Sequence, residues 1–191
     1  RQRQMCIRDS VNLTHHSFFN LKGEGKGTVN DHIMQINSSS ITAVDEGLIP
    51  TGEIMSVAET AFDFNLPKTI KSGLEMGHEQ LNIGGGFDHN YILDQGITND
   101  EGLLMAAKVK EPTSGRVLEV FTNEPGIQFY GGNFLDGKTT GKKGGVYERR
   151  GAFCLETQHY PDSPNKADFP STLLVPGQAY NSVCVYKFSV E

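Results

Sequence analysis

"RVLEVFTNEPGIQFY", residues 116–130, reads as two β-strands with a turn between them. Val117, Leu118, Val120 and Phe121 supply the first run, and Ile127, Phe129 and Tyr130 the second. Branched and aromatic side chains of this kind suit a pleated, half-buried surface. Pro125 and Gly126 separate the runs with turn chemistry, proline by fixing φ and glycine by tolerating conformations closed to other residues. The same alternation of apolar run and breaker continues outward in both directions: "HIMQI" (32–36), "SSITAVD" (39–45), "YILD" (91–94), "LLMAAKVK" (103–110), "AFCLE" (152–156), "TLLV" (172–175) and "NSVCVYKFSV" (181–190). Many short strands punctuated by Gly, Pro, Asn and Asp, in a chain with 22 glycines, specify an all-β sandwich or barrel.

Helical signals are sparse. "SVAETAFD" (56–63) has the composition to begin a helical turn, which Pro67 would end, and Ser163 before Pro164 suits a short helix start. "VPGQAY" (175–180) is a Pro-Gly turn into the last strand, whose almost unbroken apolarity predicts burial on both faces. "DGKTTGKKGG" (136–145) is expected as an exposed loop.

The bulk numbers narrow the class. At 191 residues with 37% hydrophobic content, the chain suffices for one domain with one core. A net charge of -6 argues against nucleic acid or an acidic membrane as partner, since both repel such a field. Small neutral ligands fit. No run approaches the length of a membrane span, and no signal-peptide core is present. Three cysteines without C-x-x-C spacing fit reduced thiols, with Cys154 and Cys184 in buried runs. The expected location is the cytoplasm, with secretion or periplasmic export left open. "RQRQMCIRDS" (1–10) lacks periodicity and is set aside as a non-native tail.

One motif is a decoy. "GNFLDGKT" (132–139) satisfies the phosphate-loop spacing G-x-x-x-x-G-K-[ST], yet such a loop cradles an anion with bare amides and then opens a helix. Here Phe134, Leu135 and the anionic Asp136 fill it and more glycine follows, so a surface hairpin is the better reading. Four other stretches combine groups suited to chemistry. "VNLTHHSFFNL" (11–21) offers His15 and His16, only one of which can face a given pocket from a strand. "GGGFDHNYIL" (84–93) delivers Asp88 and His89 on a glycine-shaped loop. "EPGIQFYGGNF" (124–134) sets the Gln128 amide between aromatic rings, as a sugar site does. "CLETQHYPDSPN" (154–165) places Glu156 at a strand end, with Gln158, His159 and Tyr160 beyond it. Each alone reads as easily as core or turn. Together they suit carbohydrate chemistry better than a metal, because no zinc-type ligand spacing occurs.

The segments "NLTHHSFFNL" (12–21), "IMQINSSSITAVDEGLIPTGE" (33–53), "GGGFDHNYIL", "PGIQFYGGNFLDG" (125–137), "GAFCLETQHYPDSPN" (151–165), "FPSTLLVPGQAY" (169–180) and "VYKFSV" (185–190), in this order, resemble the aldose 1-epimerase (galactose mutarotase) family. The resemblance implies a large antiparallel β-sandwich and interconversion of the α and β anomers of free hexoses such as galactose and glucose, with no metal or organic cofactor. By motif, His16 matches the family's general acid, Glu156 its general base, Asp88 the carboxylate that holds sugar hydroxyls and Gln128 a further hydroxyl ligand. His15 departs from the family's usual Asn. The family's Gly-Arg and Asn-Arg segment and a further His have no counterpart, so residues 11–191 are expected to be the C-terminal portion of one such domain, truncated at the N-terminus, and weakly active or inactive alone. The alternatives are a non-catalytic carbohydrate-binding β-sandwich and a hexose-6-phosphate 1-epimerase. The latter wants clustered arginines, for which only Arg116, Arg149 and Arg150 are available outside the tail. Preferred hexose and oligomeric state are not legible.

Overall fold

The structure, a computed structural model, describes residues 9–142 and 144–191. Ten strands form two antiparallel five-stranded sheets. In chain order the elements are β1 (Ile33–Ile36), β2 (Ser40–Val44), β3 (Pro50–Ser56), β4 (Lys68–Thr69), α1 (Ile70–Met76), α2 (Glu79–Gly84), β5 (Asp88–Ile92), β6 (Leu104–Lys110), β7 (Arg116–Thr122), β8 (Gly126–Tyr130), β9 (Cys154–Gln158), a 3₁₀ turn (Ser163–Asn165) and β10 (Cys184–Val190). One sheet runs β10-β7-β6-β1-β4, the other β3-β2-β5-β8-β9. The opening stretch therefore parts at its turn, with β7 in one sheet and β8 in the other.

The two sheets share one core. Met34, Ile36, Val109, Leu118 and Val120 from the first and Tyr91, Ile127, Phe129 and Leu155 from the second belong to a single buried cluster. Phe62, Phe64 and Phe87, from the connections, complete it: the Phe87 ring stacks on Phe129 at 5.0 Å and meets Phe64 edge-on at 5.2 Å. Aromatic pairs in these geometries add to the area they bury.

Several expectations need correction. Among the described residues 172–175 forms no strand, only an isolated bridge at Leu173, and Glu156 stands in the middle of β9 rather than at a strand end. The helical turns lie after Pro67, not at 56–63, where β3 ends and turns follow. Thr69 caps α1 by accepting from the Ser72 amide, and His78 caps α2 by accepting from that of Gln80. Gly73 sits mid-helix because an added Cβ would come within 2.9 Å of both the Ala61 carbonyl and the Phe87 ring. The closing strand β10 is not buried on both faces. It pairs only with β7 at the sheet edge, leaving Phe188 59% and Val190 73% exposed. Cys184 is only half-buried, whereas Cys154 is buried, and both are free thiols. The phosphate-loop decoy runs into a hairpin arm: Gly137 donates to Tyr147 and Thr139 accepts from it, Thr140 bridges Val146, and among the described residues no helix opens after it. Lys143, within the expected loop, lies outside the described residues, as do residues 1–8. Asp9 and Ser10, inside the set-aside stretch, pair with the chain at 173–174.

Candidate active site

The register of β5, β8 and β9 builds the site. Asn90 lies opposite Gln128 and Gln128 opposite Glu156; in the next row Asp88, Tyr130 and Cys154 align; in a third, Ile92, Gly126 and Gln158. Directly opposed residues share a face, and neighbours along a strand take opposite faces. Tyr91, Ile127, Phe129 and Leu155 thus enter the core while Asp88, Gln128, Glu156 and Gln158 gather on the other side of the same sheet.

The strand β9 is the edge of this sheet, and residues 12–19 run along it. Few backbone bonds hold this segment, because side chains stand in for the missing ladder. The Asn12 amide donates to the His159 carbonyl (2.9 Å) and accepts from the His159 amide (3.0 Å), and Thr14 Oγ1 donates to the Thr157 carbonyl (2.9 Å). Phe19 and Phe153 then exchange backbone bonds of 2.8 and 2.9 Å. Between these ties stands His16, with its Nδ1 2.9 Å from Glu156 Oε1. The segment is not a regular strand, yet the two histidines diverge as expected: His15 packs on Tyr186 at 5.4 Å, and His16 stacks on Phe18 at 5.0 Å within the site.

His16, Asp88, Gln128 and Glu156 line one hollow of about 430 Å³, together with Phe18, Leu48, Tyr130, Phe134, Gln158 and Pro161. That volume suits a small ligand. Glu156 is buried, and burial pushes its carboxyl above the ordinary carboxylate range; the His16 imidazole opposes the rise and the Asp88 carboxylate adds to it. Burial also raises Asp88, against the hydrogen bond from Gln128 Nε2 (2.8 Å) and the attraction of His16. A desolvated carboxylate with a raised pKa is a stronger base than one in water. The groups of the hollow can therefore move a proton at one point while acceptors hold hydroxyls at others.

Other residues fall elsewhere. Asp88 opens β5 itself instead of ending a loop, and His89 turns into the core, 4.7 Å from the Phe62 ring. His159 pairs with buried Glu124 (2.6 Å), and Tyr160 packs against Phe169. Arg149 and Arg150 line a separate hollow with Asn30 and Lys71, and the Arg116 guanidinium donates to the Leu21 carbonyl. None of the three arginines reaches the sugar-sized hollow, so the phosphate alternative loses its anion clamp. A larger apolar cavity of about 630 Å³, walled by Phe19, Leu21, Leu135 and Phe188, holds the Tyr147 hydroxyl donating to Glu24 (2.8 Å) but no imidazole–carboxylate pair among its lining residues. Folding also brings ligand atoms of His16, Cys154 and Glu156 within 4.8 Å of one another, a trio no sequence spacing reveals. Burial holds the Cys154 thiol well above its ordinary value, and zinc binds thiolate, not thiol. In the sequence Asn12 and Thr14 stand out only as an N-x-T pattern, whose i, i+2 spacing fits both facing one side, and Leu48 carries no signal.

The family model for aldose 1-epimerase matches residues 8–187. The chain belongs to the aldose 1-epimerase family. It is 47% identical over 180 residues to the galactose mutarotase of Homo sapiens, covering 94% of this chain and 50% of that protein. To the aldose 1-epimerase of Escherichia coli K12 it is 37% identical over 183 residues, covering 95% and 51%. A solved aldose epimerase homologue from C. elegans superposes with a TM-score of 0.80 at 30% identity, over 95% of this chain and 52% of that one. The chain thus spans about half the length of these aldose 1-epimerase relatives, and its two sheets share their fold.

Proposed function

We propose that this polypeptide contributes the acid–base half of an aldose 1-epimerase site acting on free hexoses, galactose and glucose among them, in the cytoplasm. The observation that carries the reading is the contact between His16 and the buried, upward-shifted Glu156, in a hollow that also holds Asp88 and Gln128. A purely sugar-holding site has no need of a desolvated carboxylate against an imidazole. Hexose recognition follows from Asp88 and Gln128 as hydroxyl partners and from Phe18, Tyr130 and Phe134 as apolar walls for the C–H faces of the ring.

The reaction requires the C1 hydroxyl to lose a proton while the ring oxygen gains one. Glu156 takes the hydroxyl proton, the C1–O5 bond breaks as the C1=O bond forms, and protonated His16 delivers its proton to O5. The open-chain aldehyde turns about C1–C2. Reclosure reverses both transfers: His16 recovers the proton from the O5 hydroxyl as O5 attacks C1, and Glu156 returns its own to the new O1. Atoms and charge balance, and no cofactor enters the scheme. A positioned acid or base typically contributes 10²–10⁴-fold.

Polarimetry of fresh α-galactose, corrected for spontaneous mutarotation, tests the reading on the chain alone and on a chimera completed with the unmatched half of the human relative. The chimera accelerates equilibration, and Glu156→Gln lowers that rate by at least about 10²-fold while galactose affinity stays within about tenfold. Full activity in Glu156→Gln removes Glu156 from the role, and no acceleration by either protein overturns the catalytic reading.

A further inference from the structure

Gln158 lies two residues beyond Glu156 on the same face of β9 and is 6% exposed at the floor of the hollow. Its amide joins a chain whose polarity has a single solution. Ionised Asp88 only accepts hydrogen bonds, so the Gln128 group 2.8 Å away is Nε2. Gln128 Oε1 then faces Gln158, which must present its own Nε2, at 3.4 Å. The same nitrogen lies 3.3 Å from Asn90 Oδ1. Both contacts are longer than a typical N–H···O bond, as suits one NH₂ group shared between two acceptors. Each of its two hydrogens is committed to protein, and among the described residues no donor reaches its Oε1. The diagonal reach from Gln158 to Asn90 crosses Gly126, where an added Cβ would stand 2.7 Å from Asn90 Oδ1. The missing side chain at 126 keeps that crossing open.

We infer that Gln158 is a specificity-determining residue of the sugar site: its Nε2 locks Gln128 onto Asp88, and its free Oε1 accepts a hydrogen bond from one hydroxyl of the hexose. The inference rests on the hexose reading above and assigns a contact within it. It makes the site a one-sided reader of hydroxyl donors at Asp88 and Gln158, and it selects against sugars lacking the hydroxyl that Gln158 meets, because the bound ring then covers an acceptor and leaves it unpaired.

Binding to the chain itself tests this without turnover. In ¹⁵N-labelled protein, galactose is titrated while the side-chain amide signals of Gln128 and Gln158 and the ring signals of His16 are followed, then repeated with the 2-, 3-, 4- and 6-deoxy sugars. The expected result is that galactose moves all three sets and that one deoxy sugar binds about tenfold or more weakly. Gln158→Ala should bind galactose about tenfold more weakly and lose discrimination against that one deoxy sugar. Gln158→Met, which keeps the length and removes both polar atoms, gives the same answer should the alanine variant not fold. If galactose shifts His16 and Gln128 but both variants bind and discriminate as the parent does, the inference fails and the hexose reading stands. If no sugar moves any of the three residues, the hexose reading fails and the inference with it.

Discussion

Glu156 and Asp88 are two carboxylates of one hollow, and the Asp88 charge raises the cost of ionising Glu156. Burial is the main cause of the upward shift at Glu156, His16 opposes it, and Asp88 adds to it. In the proposed base step the rate follows the ionised fraction of Glu156, so the acid limb of kcat/KM is expected above the ordinary carboxylate value of about 4.3. Asp88→Asn removes one anion from beside Glu156. Ionisation becomes easier, the pKa of Glu156 falls, and the acid limb moves to lower pH even as sugar affinity drops with the lost contact. A pH–rate profile of Asp88→Asn in the completed chimera checks this, and an acid limb that stays put or rises would take Asp88 out of the electrostatics of the base. The sign separates a neighbouring-charge effect from simple loss of binding, which lowers kcat/KM at every pH without moving the limb.

The edge of β9 depends on an irregular segment for its cover, and that segment carries His16, the proposed acid. Asn12 imitates a backbone amide by both donating to and accepting from His159, and Thr14 adds one further tie to Thr157. Asn12→Ala combined with Thr14→Val releases residues 11–16 from β9 while every strand of the sheet stays paired. Stability should fall by about 1–3 kcal/mol, the usual worth of a few such bonds, seen as a shift in urea midpoint. Imidazole placement suffers more, so kcat should drop at least about tenfold with KM little changed, since misplacement of a catalytic group is felt in the transition state. A double variant with parental kcat would show that His16 keeps its place without the Asn12 and Thr14 ties. The same scale shows where the sequence was legible. β6, β7 and β8 are plain in their branched and aromatic runs, and the Pro-Gly turns are plain in their chemistry. α1 and α2 were invisible because seven- and six-residue helices carry too little periodicity and Gly73 reads as a breaker although packing demands it. Exposure of β10 was unreadable since an apolar run does not say whether a second layer covers it. His16, Asp88, Gln128 and Glu156 were individually weak signals, made specific by family resemblance. Their convergence depends on the register Asn90–Gln128–Glu156, which no local pattern encodes across the long connection from β8 to β9. Gln158 and Asn12 gain meaning only from that register.

Across the whole molecule, two histidines sealed in the interior tie stability to pH. His32 accepts from the Leu21 amide through Nε2 (3.0 Å), and His89 accepts from the Asp88 amide through Nδ1 (3.2 Å), which fixes the backbone at the site's edge. Burial lowers both to about 4; at His32 Lys22 adds to the effect while Glu111 and Asp31 oppose it, and at His89 the neighbouring His78 adds to it. In the unfolded chain both titrate near 6.5. The native state therefore binds fewer protons than the unfolded state between about pH 6.5 and 4, and stability is fully present above 6.5 and lost as pH falls through that window. At full difference each group contributes about 1.4 kcal/mol per pH unit. Asp88 and Glu156 act in the opposite sense, because their raised native values favour protonated folded protein. The unfolded histidines take up protons from about pH 6.5 downward, so the interval from about pH 6.5 to 5.5 is where their effect is read. Urea midpoints measured across it should fall with decreasing pH. His32→Gln and His89→Asn, each of which keeps an acceptor near the lost nitrogen, should each remove about half of that slope while costing stability at pH 7. If both variants retain the parental slope, the protons responsible bind elsewhere. If only His89→Asn flattens it, the pH sensitivity of the fold resides in the layer directly beneath Asp88, and acid would loosen the candidate site before the rest of the sandwich.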